Sequence, residues 1–556
     1  MKTSVVIWDQ NLSPPKYLND NIIFWKKYNT DSNSKSISIP QLIEENSEKL
    51  RNKFLLWVYD VGETKIDGKK LVDLLQIRQK FSYWWMTLIA EKCNYSKSPF
   101  ITDVIKIFAL EDWINKNPTS NIKIFSSNKN LIYSLEEWCL GRDINFEYLI
   151  INSKKNQISL FKKIFYFLPA TLRGILWFTK FLLQRWKLKG LGIKNWIKSD
   201  AQTTFLSYLF NINETSKNHR NYENQYWTEL PIFFKKKKIK TNWLHYFIQD
   251  GQGSTVKNVK KFITNLNQNP KNFQTHVTIF SFLSYEVIIK TVKDWLFLCE
   301  KNKFIQNSLF GSTDKKYLWH LFKEDWKNSI YGQVAFSNLL TLNLHEAALN
   351  LLPSQKNGLY LQENQGWEFG FINAWRRAGH SNLIGFPHST VKFWDLRYFY
   401  HKDCYLKIHN NSLPLPDKVA CNGKKTILAY QDHGYPHKYL FEVESLRYLY
   451  LNKYSNNFDS VLNKNNKLIV LGDYLKVNTH KQLELLQTAI ASLNDDINIS
   501  FKPHPACPID LSLYPGIKAN LTYDELSNLL PKYDMVFASS TTSAAVDGYC
   551  AGLIVL

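Results

Sequence analysis

The chain has 556 residues, 44% hydrophobic and 15% aromatic against 21% charged, which excludes wholesale disorder. Its 70 Lys and Arg outnumber 48 acids, a formal net charge of +22, so a polyanion or an anionic surface is a candidate partner. Seven cysteines with no CxxC pair exclude a disulfide scaffold and argue against a structural zinc site.

In chain order, the opening MKTSVVIWDQ is a short apolar run broken by Asp9. It does not read as a secretory leader, and a cytoplasmic setting is expected. Apolar runs predict strands at Ser4–Trp8, Phe54–Tyr59, Ile122–Ser126, Thr204–Phe210, Val277–Phe282, Gly358–Leu361, Lys467–Leu471, Ile497–Phe501, Met535–Ala538 and Leu553–Leu556. Helical spacing predicts helices at Gly68–Glu91, Asn128–Leu140, Ser284–Glu300, Gly366–Gly379, Lys438–Asn452, Asn478–Leu493 and Tyr523–Leu530. Alternating strand and helix predict an α/β protein with parallel sheets.

One stretch breaks the pattern. From Ile151 to Asp200 there are eleven Lys and Arg and one acid, almost half of the excess charge. Bulky apolar residues alternate there with Lys162, Lys163, Arg173, Lys180, Arg185, Lys187 and Lys189. Pro169, Arg173, Gly174 and Lys180 interrupt the best apolar window, so a bilayer span is not expected. An inserted amphipathic segment at about 157–198 fits better. It would set Trp177, Phe178, Phe181, Leu182 and Trp186 in the headgroup boundary of an anionic membrane. A buried hairpin with a solvated basic face needs the same pattern.

Pro414 and Pro416 mark a break before a second β/α series. The expected organisation is an N-terminal part, 1–410, and a C-terminal part, 417–556. The latter has thirteen basic and fourteen acidic residues, which counts against a nucleic-acid-binding role for the whole chain. The chain stops within the apolar run AGLIVL, so the C-terminal part is expected to be incomplete.

There is no P-loop, no HExxH and no Asp-x-Asp for a metal on a nucleotide diphosphate. Two features stand out. Lys502-Pro-His504-Pro follows a strand and holds an imidazole at its carboxyl end, where open α/β sheets bind ligands. Ala538-Ser539-Ser540-Thr541-Thr542-Ser543 joins a strand to a helix start, where hydroxyl and N–H donors cap the helix or meet a phosphate.

Together they resemble the HP and SS motifs of GT-B glycosyltransferases that use CMP-activated sugars, the bacterial sialyltransferases and Kdo transferases. Ser82–Trp85, Glu91-Lys92, Tyr226-Trp227, Asn242–His245, Glu363–Glu368, Ala374–Arg376 and Gly385–Thr390 resemble segments of a family of bacterial surface-carbohydrate biosynthesis proteins. The resemblance implies two Rossmann-like domains facing each other across a cleft. Lys502, His504, Ser539, Ser540 and Thr541 would hold the CMP phosphate, without a metal or other cofactor. His504 would help the nucleotide leave. His388 and Ser389 would bind the acceptor, a lipid-linked surface polysaccharide or lipopolysaccharide. Inversion requires a carboxylate base. The acidic motif of sialyltransferases is not evident, and Glu363 and Asp60, both expected at strand ends, are the candidates. A CDP-polyol phosphotransferase of teichoic-acid type has a similar His-Pro and Ser-Ser arrangement and is the alternative. A peripheral position on the inner face of the cytoplasmic membrane follows from the basic segment.

Overall fold

The computed structural model describes residues 3–10, 13–15, 21–28, 36–151, 165, 167–209, 222, 224, 226–248, 255–269, 273–311, 315–406, 410–454, 466–492, 497–505, 507–539 and 542–556. Lys162, Lys163, Ser540 and Thr541 lie outside them.

Three all-parallel sheets organise the chain. The first contains β1 (Thr3–Trp8), β2 (Asn21–Phe24), β3 (Ile37–Ser38), β4 (Thr119–Ser126) and β5 (Asn145–Ile150) in the order β3-β2-β1-β4-β5. The second contains β6 (Thr203–Tyr208), β7 (Thr241–Tyr246), β8 (Gln274–Thr278), β9 (Asn357–Leu361), β10 (Asn382–Phe386), β11 (Lys418–Cys421) and β12 (Leu440–Glu442), ordered β8-β7-β6-β9-β10-β11-β12. The third contains β13 (Lys467–Leu471), β14 (Asn498–Lys502), β15 (Ala519–Leu521), β16 (Met535–Ala538) and β17 (Ile554–Val555), ordered β15-β14-β13-β16-β17. In each order the chain winds outward one way and then the other, the doubly wound pattern.

The expected N-terminal part therefore holds two sheets, and the second runs past the expected boundary. β11 and β12, beyond Pro416, pair with β10 and with each other. The prolines sit in the β10–β11 loop, where no ladder N–H is needed. One continuous core runs from Val5 to Leu440 through the first two sheets. The third sheet has its own clusters on its two faces, Ile469 and Leu471 toward one and Leu468 and Val470 toward the other. Burial on both faces is why β13 reads as an unbroken apolar run.

Several element assignments change. The expected helix Lys438–Asn452 is β12 flanked by 3-10 turns, and the expected strand Val277–Phe282 ends at Thr278 and passes into a 3-10 turn. Phe54–Tyr59 belongs to helix α1 (Ser47–Glu63), whose apolar residues bury Phe54, Leu55, Trp57 and Val58 on one broad face. A run of six apolar residues cannot distinguish that face from a strand. The expected helix Gly68–Glu91 is instead two short antiparallel pairs followed by a 3-10 turn at Tyr83–Met86. Further helices are α2 (Ala170–Arg185), α3 (Tyr285–Gly311), α4 (Trp319–Ile330), α5 (Gln333–Leu349), α6 (Gly366–Arg377) and α7 (Lys476–Ile490). Among the described residues no helix is long and apolar enough to cross a membrane.

Arg78 ties these layers together. All five of its N–H donors are used: on Glu346 at 2.8 Å, on Asp294 at 3.0 and 2.8 Å, on Asn343 at 2.8 Å and on the Ile77 carbonyl at 2.9 Å.

Candidate functional site

In doubly wound sheets a ligand sits outside the carboxyl ends of the strands, where the winding reverses. That point lies between β1 and β4, between β6 and β9, and between β13 and β16. Each carries the same motif, a carboxylate taking a hydrogen bond from a hydroxyl on the neighbouring strand. Ser126 Oγ donates to Asp9 at 2.5 Å. Tyr208 Oη donates to Glu363 at 3.4 Å. Ser539 Oγ donates to Asp473.

In the third sheet, Asp473 follows β13 after Gly472 and is fully buried. Its carboxylate also accepts from the Leu475 N–H at 2.8 Å and from Asn478 at 3.4 Å. A Cβ on Gly472 would stand 3.1 Å from the His504 nitrogen, so a side chain there would push the Lys502–Pro505 loop away. His504 therefore sits beside Asp473 at the end of β14. Burial holds its imidazole below the ordinary value, against the pull of Asp473. The expected pair, His504 and Ser539, thus meet on either side of Asp473. Lys502 is directed elsewhere, its ammonium 2.6 Å from the Asp524 carbonyl.

In the second sheet, Glu363 follows β9, as expected. It lies in a turn with Asn364 at φ +55°. Glu368, in the first turn of α6, reaches back to accept from the N–H groups of Glu363 and Asn364 at 3.1 and 2.9 Å. Burial and the adjacent Glu363 push the Glu368 carboxyl up to about 8. Glu363 itself contacts Gln365 at 2.5 Å, Arg397 at 3.4 Å and His388 Nε2 at 3.4 Å. Burial opposes its ionisation, but His388 and Arg397 outweigh that and hold it below the ordinary carboxylate value. Arg397 is fixed in turn by Asp395 at 2.7 Å.

His388 stands after β10 with its side chain 7% exposed. Burial drives its imidazole down to about 4, so it is neutral near pH 7. With Nε2 toward Glu363, Nδ1 is buried without a hydrogen-bond partner among the described residues. Tyr226 packs edge-on against the ring at 4.6 Å, and the two residues line a pocket with Asn422, Ser445 and Arg447. The Ser389 carbonyl accepts from Asn422 at 3.3 Å.

Asp60 is not at a strand end. It is an exposed residue of α1, its carbonyl taking the Thr64 hydroxyl, with His401 and Lys315 as its nearest opposing charges. Burial raises its carboxyl above the ordinary value.

A chain of rings connects the two groups. Tyr474 packs edge-on to His504 at 6.1 Å and to Tyr95 at 5.9 Å, and the Arg397 guanidinium lies over Tyr95 at 4.7 Å. Lys392, in the loop after β10, feels Asp395 and also Asp473, while burial holds its ammonium below the usual value. Several segments singled out in the sequence converge here. Lys97 pairs with Glu91 at 2.5 Å, the Gly366 N–H donates to Glu91 at 3.2 Å, and Asn338 holds the Met86 carbonyl at 2.6 Å.

Sequence reasoning passed over Asp473, Arg397, Tyr95 and Tyr474. Asp473 was discoverable, since it occupies the place after β13 that His504 and Ser539 occupy after β14 and β16. Arg397 and Tyr95 carry no local signal, because only the tertiary fold brings them to Glu363.

No protein family and no curated protein matches the chain. Among solved structures it is similar to UDP-N-acetylglucosamine 2-epimerase from Rickettsia bellii, at 11% identity over 64% of this chain and 78% of that one, with a TM-score of 0.31.

Proposed function

We propose that the chain is a GT-B-type glycosyltransferase that moves a Kdo- or sialic-acid-like sugar from a CMP-sugar to a lipid-linked glycan. The observation that carries this reading is the linkage of two strand-end groups. Asp473, His504 and Ser539 on the third sheet join Glu363, His388 and Arg397 on the second through the Tyr474–Tyr95 ring contact.

The donor half suits a single phosphate. The His504 N–H is a neutral donor, and Asp473 fixes the loop that begins at Ser539 by taking its hydroxyl proton. An arriving phosphate places negative charge beside His504 and raises its imidazole toward protonation, which prepares it to help the nucleotide leave. One phosphate is neutralised by such donors without a metal. Ser540 and Thr541 belong to the same proposed loop.

The acceptor half suits proton removal from a hydroxyl. Glu363 is ionised at neutral pH and His388 is a neutral imidazole beside it. In this reading Glu363 orients His388, and Nδ1 is the atom that takes the acceptor proton. His388, first expected only to bind acceptor, becomes the base, and Glu363 acts through it. Asp60, exposed on α1, has no part.

The test is calorimetric binding of CMP, CDP, UDP and GDP to the full chain, with CMP release from CMP-sugars and from CDP-polyols. The reading expects CMP to bind best, EDTA to have no effect, and His504→Ala to lower turnover by about 10²–10⁴. CMP release from a CDP-polyol alone would replace it with the phosphotransferase reading. Full activity in His504→Ala would overturn both.

A further inference from the structure

Helix α2 has two faces, and the structure separates them differently from the sequence expectation. Gly174, Phe178, Phe181 and Arg185 recur at i, i+4, i+7 and i+11 and turn inward. Phe178 stacks on Phe336 at 4.6 Å and Phe181 meets Phe280 edge-on at 5.5 Å. A Cβ on Gly174 would stand 2.8 Å from the Tyr331 carbonyl, so the helix lies directly on that backbone. Arg185 is buried over Phe181 at 3.8 Å. Phe178 and Arg185, expected to meet lipid, are buried, Phe181 is half-buried against the core, and Trp186 is half-buried against Tyr285.

The opposite face is apolar and uncovered. Leu172, Leu176 and Leu183 are 47%, 53% and 72% exposed and lie in one stripe with Ile175. Thr179 falls in the same stripe and spends its hydroxyl on the Ile175 carbonyl at 3.0 Å, which leaves its methyl group outward. Before the helix, Phe167 is 89% exposed. Lys180 is exposed on the helix, Lys187, Lys189, Lys194 and Lys198 are exposed in the segment that follows it, and residues 167–199 contain no acid. Tyr285 and Ile289, at the start of α3, continue the patch beside Lys189, which lies 5.2 Å from the Tyr285 ring.

We propose that this face, Phe167, Leu172, Leu176 and Leu183 with the bordering lysines, docks the protein on an anionic lipid bilayer. A continuous aliphatic stripe needs an apolar phase, and a border whose lysines outnumber the nearby acids, Glu286 beside Tyr285 and Glu324 on Arg173, needs an anionic one. An anionic bilayer interface supplies both in one plane, with the helix lying along it. A nucleic acid would satisfy the lysines and leave the leucines in water. The proposal stands apart from the catalytic reading, because none of these residues belongs to the strand-end groups.

Flotation of the full chain with phosphatidylcholine vesicles, with and without phosphatidylglycerol, tests it. Wild type is expected to float with the anionic vesicles and far less with the neutral ones. Lys180→Glu, Lys187→Glu and Lys189→Glu together should lower partitioning by at least about 10², since each basic residue near the surface contributes about fivefold. Leu176→Asp with Leu183→Asp should lower it at low and high salt alike, because the apolar part is not screened. These side chains are exposed, so both variants should keep wild-type circular dichroism. Equal flotation of all three proteins overturns the proposal. So does a dimer that Leu183→Asp turns into a monomer without a change in flotation, which would show a second copy on this face.

Discussion

Asp473→Asn is the sharpest perturbation of the proposed donor site, because it changes charge and leaves volume alone. One carboxylate oxygen takes the Leu475 N–H, and the other takes Ser539 and Asn478. An amide has one accepting oxygen. If that oxygen stays on Leu475, the new NH₂ faces two groups that were donors, and Ser539 loses its charged anchor. A hydrogen bond to a charged group is worth about 1.5–3 kcal/mol. If the anchoring of Ser539 is expressed in phosphate binding, CMP affinity falls roughly 10- to 150-fold. Losing the anion also removes the pull of Asp473 that raises His504, so its imidazole moves further down. The assay is calorimetric titration of CMP into the wild-type and variant chains at one pH and salt concentration. Hydrogen exchange over residues 535–550 should quicken in the variant. A CMP affinity within about threefold of wild type, with the fold intact, would refute the argument.

Three further outcomes follow from the geometry. Arg78→Met leaves Asp294 and Glu346 without their shared cation and should cost about 3–5 kcal/mol in urea unfolding; a loss below about 1 kcal/mol would contradict a structural role for the five donors. Burial pushes the Lys92 ammonium, which lies 3.5 Å over the Tyr400 ring, down to about 7. The unfolded chain then holds a proton that the folded chain lacks between about pH 7 and 10.4, so stability rises with pH across that window, and Lys92→Met should flatten the rise and add up to about 4 kcal/mol near pH 7. Glu363→Gln should lower turnover by about 10²–10⁴ with little change in CMP affinity, and His388→Ala should do the same but recover in part with added imidazole; loss of CMP affinity in either would move these residues to the donor site.

Much of the α/β alternation was legible because fully buried parallel strands are continuous apolar runs. Lys467–Leu471 and Met535–Ala538 have the bounds expected of them. β7 and β10 escaped because Asn242, His245, Asn382 and Gly385 break their apolar pattern, and the fold satisfies them by tertiary contacts such as Ser199 to Asn242 at 2.6 Å. His504, Ser539 and Glu363 were readable as strand-end residues. The pairing of Glu363 with His388 was not, since it joins loops from two different strands across 25 residues of sequence.

The winding of the second sheet also sets a timetable for synthesis. β6 has β7 as its neighbour soon after it emerges, but its other partner is β9, with Thr203 paired to Asn357. At ribosomal rates the intervening stretch, about 150 residues, takes on the order of 10–30 s to appear. During that interval one long edge of Thr203–Tyr208, buried at every position in the finished protein, has no strand to pair with. The helices α3, α4 and α5 are made in that gap, and α5 packs closely against α6, which follows β9. A nascent chain stalled before Asn357 therefore presents an open β edge, and heterologous expression should depend on chaperone supply more steeply than its basic composition suggests.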